Sequence, residues 1–160
     1  MNKFIDVGGA AFSSQDMCWR TPSKFWHELN KEFNFVLDAC ALKDSALVTD
    51  NWYGPDHDNM ERRDALITNW AKDAGGGNVF MNPPYGKEIG FFMAKAVEQS
   101  KEGCTVVCLV PARTDTRWFH NYVFNENASI RFLKGRLKFS DGPNSAPFPS
   151  AVVILKSHGN

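Results

Sequence analysis

The stretch V-F-M-N-P-P-Y-G at residues 79–86 decides the fold. Val79, Phe80 and Met81 are apolar on both faces of a pleat, which predicts a strand buried on both sides. Pro83 and Pro84 end it at once, because proline has no N–H to give to a ladder. Residues 88–100 then carry Ile89, Phe92, Met93, Ala96 and Val97 at helical spacing. A strand, an abrupt turn and a helix make the repeating unit of a parallel sheet. In such sheets ligands sit beyond the carboxyl ends of the strands, so Asn82, and Asp38 at the end of the 35–37 run, fall where a site belongs.

Working upstream, residues 35–37 are a second apolar run, closed by Asp38 at its carboxyl end. Thr21-Pro22 reads as a helix start, with threonine as N-cap and proline at the first helical position. Phe25, Trp26, Leu29 and Phe33 follow at helical spacing. Residues 64–70 are apolar enough to pack as a strand or as one helical turn, and the polar stretch 41–63 predicts no element. Downstream, residues 105–110 read as a strand. Asp115 is placed to cap a helix carrying Trp118, Phe119, Tyr122 and Val123, and 130–133 is another strand. Residues 137–139 and 151–155 flank a Gly/Pro/Ser-rich loop and predict a terminal antiparallel pair. The class is α/β, a mostly parallel sheet with a C-terminal antiparallel strand pair. Residues 1–18 read as a flexible arm and 19–160 as a single domain.

The 160 residues carry 18 basic and 18 acidic side chains, which excludes a polycation that coats nucleic acid by charge alone. The balance is uneven: residues 1–80 hold 8 basic and 12 acidic groups, residues 81–160 hold 10 and 6. A polyanion-facing side built from the second half is therefore allowed. Cys18, Cys40, Cys104 and Cys108 form no C-x-x-C pair and sit among apolar neighbours, which predicts reduced buried thiols and no metal. No apolar run approaches the roughly 20 residues that span a bilayer. The polar N-terminus does not read as a signal peptide. The expectation is a cytoplasmic protein with no membrane partner.

An Asn-Pro-Pro-Tyr match arises by chance in roughly one chain of this size per thousand. Its plain reading is a strand-ending diproline turn with a packed tyrosine. Its chemical reading concerns planar amines. The exocyclic nitrogen of a base is a poor nucleophile, because its lone pair is delocalised into the ring. Hydrogen-bond acceptors set against its two N–H bonds draw it toward sp3 and free the pair. Asn82 offers a side-chain carbonyl, and Pro83 a main-chain carbonyl whose direction the ring fixes. Tyr85 offers a flat face for a flipped base, worth roughly 1–3 kcal/mol. Alignment with a methyl donor supplies more, up to about 7–11 kcal/mol. For S-adenosylmethionine as donor, the helix start at Thr21-Pro22 suits the carboxylate. Asp38 suits the ammonium and Asp64 the adenine amine. The plain alternatives are a helix cap for Thr21, a solvated strand-end acid for Asp38 and a turn residue for Asp64.

The chain resembles the phage-type Dam-like DNA N6-adenine methyltransferases. The matching blocks, in order, are W-R-T-P (19–22), F-x-L-D-A-C-A (35–41), D-A-L-x-x-x-W (64–70), M-N-P-P-Y-G (81–86), V-P-A-R-T-D-T-R-W-F-H (110–120), R-F-L-K-G-R-L-K-F (131–139) and A-P-F-P-S-A-V-V-I (146–154). The resemblance implies a Rossmann-like S-adenosylmethionine-dependent methyltransferase fold and transfer to adenine N6 in DNA, leaving S-adenosylhomocysteine, with no metal. It implies Asn82, Pro83, Pro84 and Tyr85 as the catalytic set. Thr21, Pro22, Asp38, Ala39, Cys40, Asp64 and Asn82 would line the donor pocket. The first strand is followed by Asp38-Ala39-Cys40-Ala41, without the glycine-rich loop of many related enzymes, and 160 residues leave no room for a target-recognition domain.

DNA contact then falls to loops. Arg131, Lys134, Arg136 and Lys138 place four cations in eight residues, fit for a phosphate backbone or for a solvated strand pair. Arg113 and Arg117 follow the strand ending at Val110 and suit phosphates flanking the flipped base, or a pairing with Asp115. Other acceptors with planar nitrogens, an RNA base or a glutamine amide, fit the same tetrapeptide. A donor-free DNA-binding relative is the non-enzymatic alternative. Both a monomer and a homodimer are consistent with the sequence.

Overall fold

The structure is a computed structural model and describes residues 19–158. The arm expected at 1–18, with Cys18, lies outside the described residues. Helix α1 (Ser23–Phe33) buries Trp26 and Leu29 and ends at Asn34, whose left-handed backbone returns its N–H to Asn30. The Asn30 side chain accepts from Phe35 N–H, so strand β1 (Phe35–Asp38) starts without a loop. Short helix α2 (Trp70–Asp73) leads to β2 (Asn78–Met81), then α3 (Ile89–Glu102) and β3 (Val106–Pro111). Helical residues 117–119 run into a wider π turn at 120–124, followed by β4 (Ser129–Phe132) and β5 (Ser150–Leu155).

The five strands form one sheet in the order β1-β2-β3-β5-β4. The pairs β1/β2 and β2/β3 are parallel. β5 is antiparallel to both β3 and β4. All six residues of β3 and of β5 are buried, as their unbroken apolar runs require of strands covered on both faces. β4 is an edge strand and largely exposed.

Several sequence expectations need correction. Residues 137–139 are not a strand. The antiparallel partner of β5 within the C-terminal region is β4, and Leu137 makes a single backbone bond, accepting from Ala146 N–H. Ser140 and Asp141 adopt positive φ (59° and 56°), which curls the chain and turns Phe139 inward. The cap of the helical turn at 117 is Thr116, whose hydroxyl accepts from Phe119 N–H, rather than Asp115. Of the two readings of 64–70, a strand or a helical turn, the second holds: a 3-10 turn at Ala65–Ile67 leads into α2. Thr21 does not cap α1. Asp141 does so from 118 residues away, accepting from Ser23 N–H (2.9 Å) and Ser23 Oγ (2.6 Å). Pro22 stands one place earlier than expected, at the cap.

The unassigned 41–63 stretch contains a strip that lies against the outer edge of β1. Asp38 N–H donates to Asn51 O, and Asp38 O and Ala41 N–H bond to the two sides of Tyr53. Arg62 fastens this strip through Asn51 Oδ1 and Trp52 O, and Tyr53 Oη donates to Asp73. The close approach depends on Gly54. A Cβ there would stand 1.8 Å from Ala41 O, a backbone atom, and 2.9 Å from the Trp52 ring. Gly54→Ala is expected to cost about 2–3 kcal/mol by overpacking, read as a lower urea midpoint; an unchanged midpoint would mean that the strip is not tightly held.

Candidate functional site

The carboxyl ends of β1 and β2 bring residues 38–41 beside Asn82: Ala39 N–H donates to Phe80 O at 2.9 Å. Asn82 Nδ2 donates to Thr21 Oγ1 (3.0 Å) and to the Trp19 main-chain carbonyl. A carbonyl oxygen can only accept, so the amide cannot be flipped, and its orientation follows from the bonding. Asn82 Oδ1 thus points away from these partners. It is buried and has no hydrogen-bond partner. None of the hydrogen bonds among the described residues takes up the Pro83 carbonyl. A buried acceptor without a donor costs roughly 1–3 kcal/mol, so leaving Asn82 Oδ1 unpaired is a cost to the fold.

Tyr85 does not present a flat face to solvent. It is 1% exposed, because its hydroxyl donates to Leu109 O (3.0 Å) and its ring packs against Phe139 and Phe148. Trp19 meets both phenylalanines edge-on, at 5.6 and 5.2 Å between centroids. Trp19, Phe139 and Phe148 therefore form an aromatic cover over the corner that Asn82 and Tyr85 make. Burial pushes the Tyr85 phenol well above its ordinary pKa.

Asp38 is not a solvated acid. It is 1% exposed, and its carboxylate accepts from Leu47 N–H (2.9 Å) and Cys40 N–H (3.4 Å). Burial pushes its pKa up to about 7 against the pull of those two N–H groups. Its bonds fold the 39–47 loop that borders Asn82. Asp64 is exposed and spends Oδ1 on Leu66 N–H as the cap of the 3-10 turn. Cys40 is half-buried, whereas Cys104 and Cys108 are buried thiols raised by desolvation, Cys104 to about 11.

The expected basic stripe divides. Arg131 makes a two-pronged contact with Glu32 (2.7 and 2.5 Å) and lies over the Phe33 ring. Arg136 donates to Ala146 O, while Lys134 and Lys138 are exposed. Arg113 lies over the Phe148 ring at 5.6 Å, and among the described residues no ion pair joins Arg113 or Arg117 to Asp115. The sequence does not mark the cover as a unit, because Trp19, Phe139 and Phe148 lie in three separate stretches of the chain. An aromatic between two prolines, as at 147–149, was the signal available. Among the described residues no group of three or more His, Cys, Asp or Glu side chains could hold a metal ion, and no helix is long and apolar enough to cross a membrane.

Comparison with known proteins places residues 10–155 under the family model described as DNA N-6-adenine-methyltransferase (Dam). A protein of Haemophilus phage HP1 (strain HP1c1), named DNA N-6-adenine-methyltransferase, is 28% identical over 129 residues, which cover 79% of this chain and 68% of that protein.

Proposed function

Since the chain belongs to the DNA N-6-adenine-methyltransferase (Dam) family, we propose that it methylates adenine N6 in DNA, using S-adenosylmethionine on a Rossmann-like scaffold. The observation that carries this reading is the tethered Asn82 amide with its buried, partnerless Oδ1. An amino N–H of an extruded base is the donor that this atom lacks, and the Pro83 carbonyl is the second acceptor. The two oxygens hold the nitrogen pyramidal, with its lone pair directed at the reacting carbon. They also stabilise the positive charge that grows on nitrogen as the new C–N bond forms. Neither is a base, so the surplus proton leaves to water after transfer.

When bound, S-adenosylmethionine supplies a methyl group on a sulfonium that departs as the neutral thioether of S-adenosylhomocysteine. The orphaned acceptor fits a reaction with such a donor, because it activates the nucleophile and leaves the electrophile to the cosubstrate. Thr21 has a double part: it tethers Asn82 and begins the turn into α1. Ala39 and Cys40 line the carboxyl edge of β1, and Asp38 shapes that edge through the 39–47 loop. Asp64 keeps one carboxylate oxygen beyond its cap bond for a donor amine. The aromatic cover of Trp19, Phe139 and Phe148 parts to admit the base, a motion of the kind that gates many active sites.

The test is methyl transfer from labelled donor to mixed-sequence DNA, with RNA and glutamine peptides in parallel. The expected product is N6-methyladenine in DNA alone. A folded protein that labels no DNA would overturn the reading, and label in RNA or peptide would replace the substrate.

A further inference from the structure

The two segments that cover the catalytic corner continue outward as the walls of a groove of about 540 Å³. One wall is the first turns of α1, with Lys24, Phe25 and Glu28; the other is residues 136–142, with Arg136, Lys138 and Asp141. We propose that this groove is the track of the phosphodiester backbone of the DNA strand that carries the target adenine, with Lys24 and Lys138 as its phosphate ligands. The proposal rests on the DNA-methyltransferase reading and adds where the strand lies.

Position is the first argument. α1 starts two residues after Thr21, whose hydroxyl accepts from Asn82. Phe139, which seals Tyr85, stands next to Lys138 in the chain. A strand lying between the walls therefore runs past the cover through which a base would enter. Ser140 N–H to Arg20 O and Asp141 to Ser23 bind the two walls to each other, so the groove and the cover move as neighbours.

Charge is the second argument. Of the two carboxylates of the lining, Glu28 pairs with Lys31 at 3.2 Å, and Asp141, which its bonds from Ser23 keep ionised, is outnumbered by Lys24, Arg136 and Lys138. Among the described residues neither Lys24 nor Lys138 has a carboxylate within ion-pair distance, and both are exposed. Arg136 donates to the neutral Ala146 carbonyl, and no carboxylate among the described residues pairs with it. Arg131, the first member of the stripe read from sequence, is instead neutralised by Glu32. Free cations flanking the apolar Phe25 suit a chain of phosphates joined by sugars. Such contacts position a duplex and carry no sequence information.

Salt dependence provides the test, because each lost phosphate contact flattens the plot of log affinity against log salt by about one unit. Binding of a fluorescent mixed-sequence duplex, in the presence of S-adenosylhomocysteine, is measured for the full chain over a salt series. Lys24→Gln and Lys138→Gln should each weaken binding several-fold and flatten the slope by about one unit, and Lys72→Gln, on α2, should change neither. Glu28→Lys adds a cation to the groove and should steepen the slope, a gain that misfolding cannot imitate. Unchanged slopes in all three groove variants, with DNA still methylated by the wild type, would overturn the groove and leave the activity standing. A wild type that neither binds nor methylates DNA would overturn both.

Discussion

Asn82→Ala is expected to lower turnover at least about a hundredfold while leaving donor binding, measured by calorimetry, within about twofold of wild type. Removing one preorganised group aimed at developing charge typically costs 10²–10³ in rate. Here the lost group is the buried Oδ1 with no partner in the resting protein, so its removal relieves a strained acceptor and leaves no broken bond on that side. Asn82→Asp separates the two halves of the amide. It keeps an acceptor for the substrate but sets a carboxylate oxygen against the Trp19 carbonyl, where Nδ2 had donated. Its rate should lie between those of the wild type and the alanine variant. Thr21→Val, which removes one tether, should lower kcat by about five- to tenfold, and Thr21→Ser should restore it. Near-normal turnover in Asn82→Ala would remove the amide from the mechanism.

The corner at Asn82 was legible in sequence where its causes are local. An apolar run stopped by two prolines defines β2 and puts Asn82 at its end, whatever the rest of the chain does. The tether is not local: Thr21 and Asn82 are 61 residues apart, and nothing in either neighbourhood announces the other. Tyr85 illustrates the same limit. Its burial depends on Phe139 and Phe148, and Phe139 turns inward only because Ser140 and Asp141 take left-handed backbone conformations that non-glycine residues rarely show. The strand expected at 137–139 failed for that reason. Helix α3 was readable because its buried face repeats over 14 residues. The 41–63 stretch was not, because its order comes from polar pairings such as Arg62 with Asn51 and Tyr53 with Asp73, which carry no period.

The closed corner links these observations to function. Under the proposed function a nucleobase would reach Asn82 only after Trp19 and the 139–148 segment separate, and the Asp141–Ser23 bonds are among those that hold the second wall down. These bonds lie at an exposed helix end, where their net worth is small, about 1 kcal/mol for a cap. The cover is thus fastened by weak polar contacts at its rim and by aromatic packing at its centre. Such an arrangement buries Asn82 Oδ1 behind contacts that are weak at the rim.

Stability should fall as pH rises from about 4 to about 7, because of Asp38. In the unfolded chain this carboxyl ionises near 3.9. In the fold, burial at 1% exposure pushes it up to about 7, although two backbone N–H groups favour the charged form. Between those values the native state holds a proton that the unfolded state has lost. The group's contribution is complete below the unfolded value, declines through the window and is gone above the folded one. The difference is at most about 4 kcal/mol, a large part of the 5–15 kcal/mol that holds most domains together. Urea midpoints measured at pH 5 and pH 8 should show the drop in the wild type and a much smaller one in Asp38→Asn, which mimics the protonated acid at both. Equal drops in the two proteins would assign the pH dependence elsewhere. The same variant separates two roles. If Asp38 shapes the 39–47 loop, the asparagine still accepts from Leu47 N–H and donor affinity stays within several-fold. A direct partner of the donor's ammonium would instead lose more than tenfold at pH 8, where the wild-type carboxylate is charged.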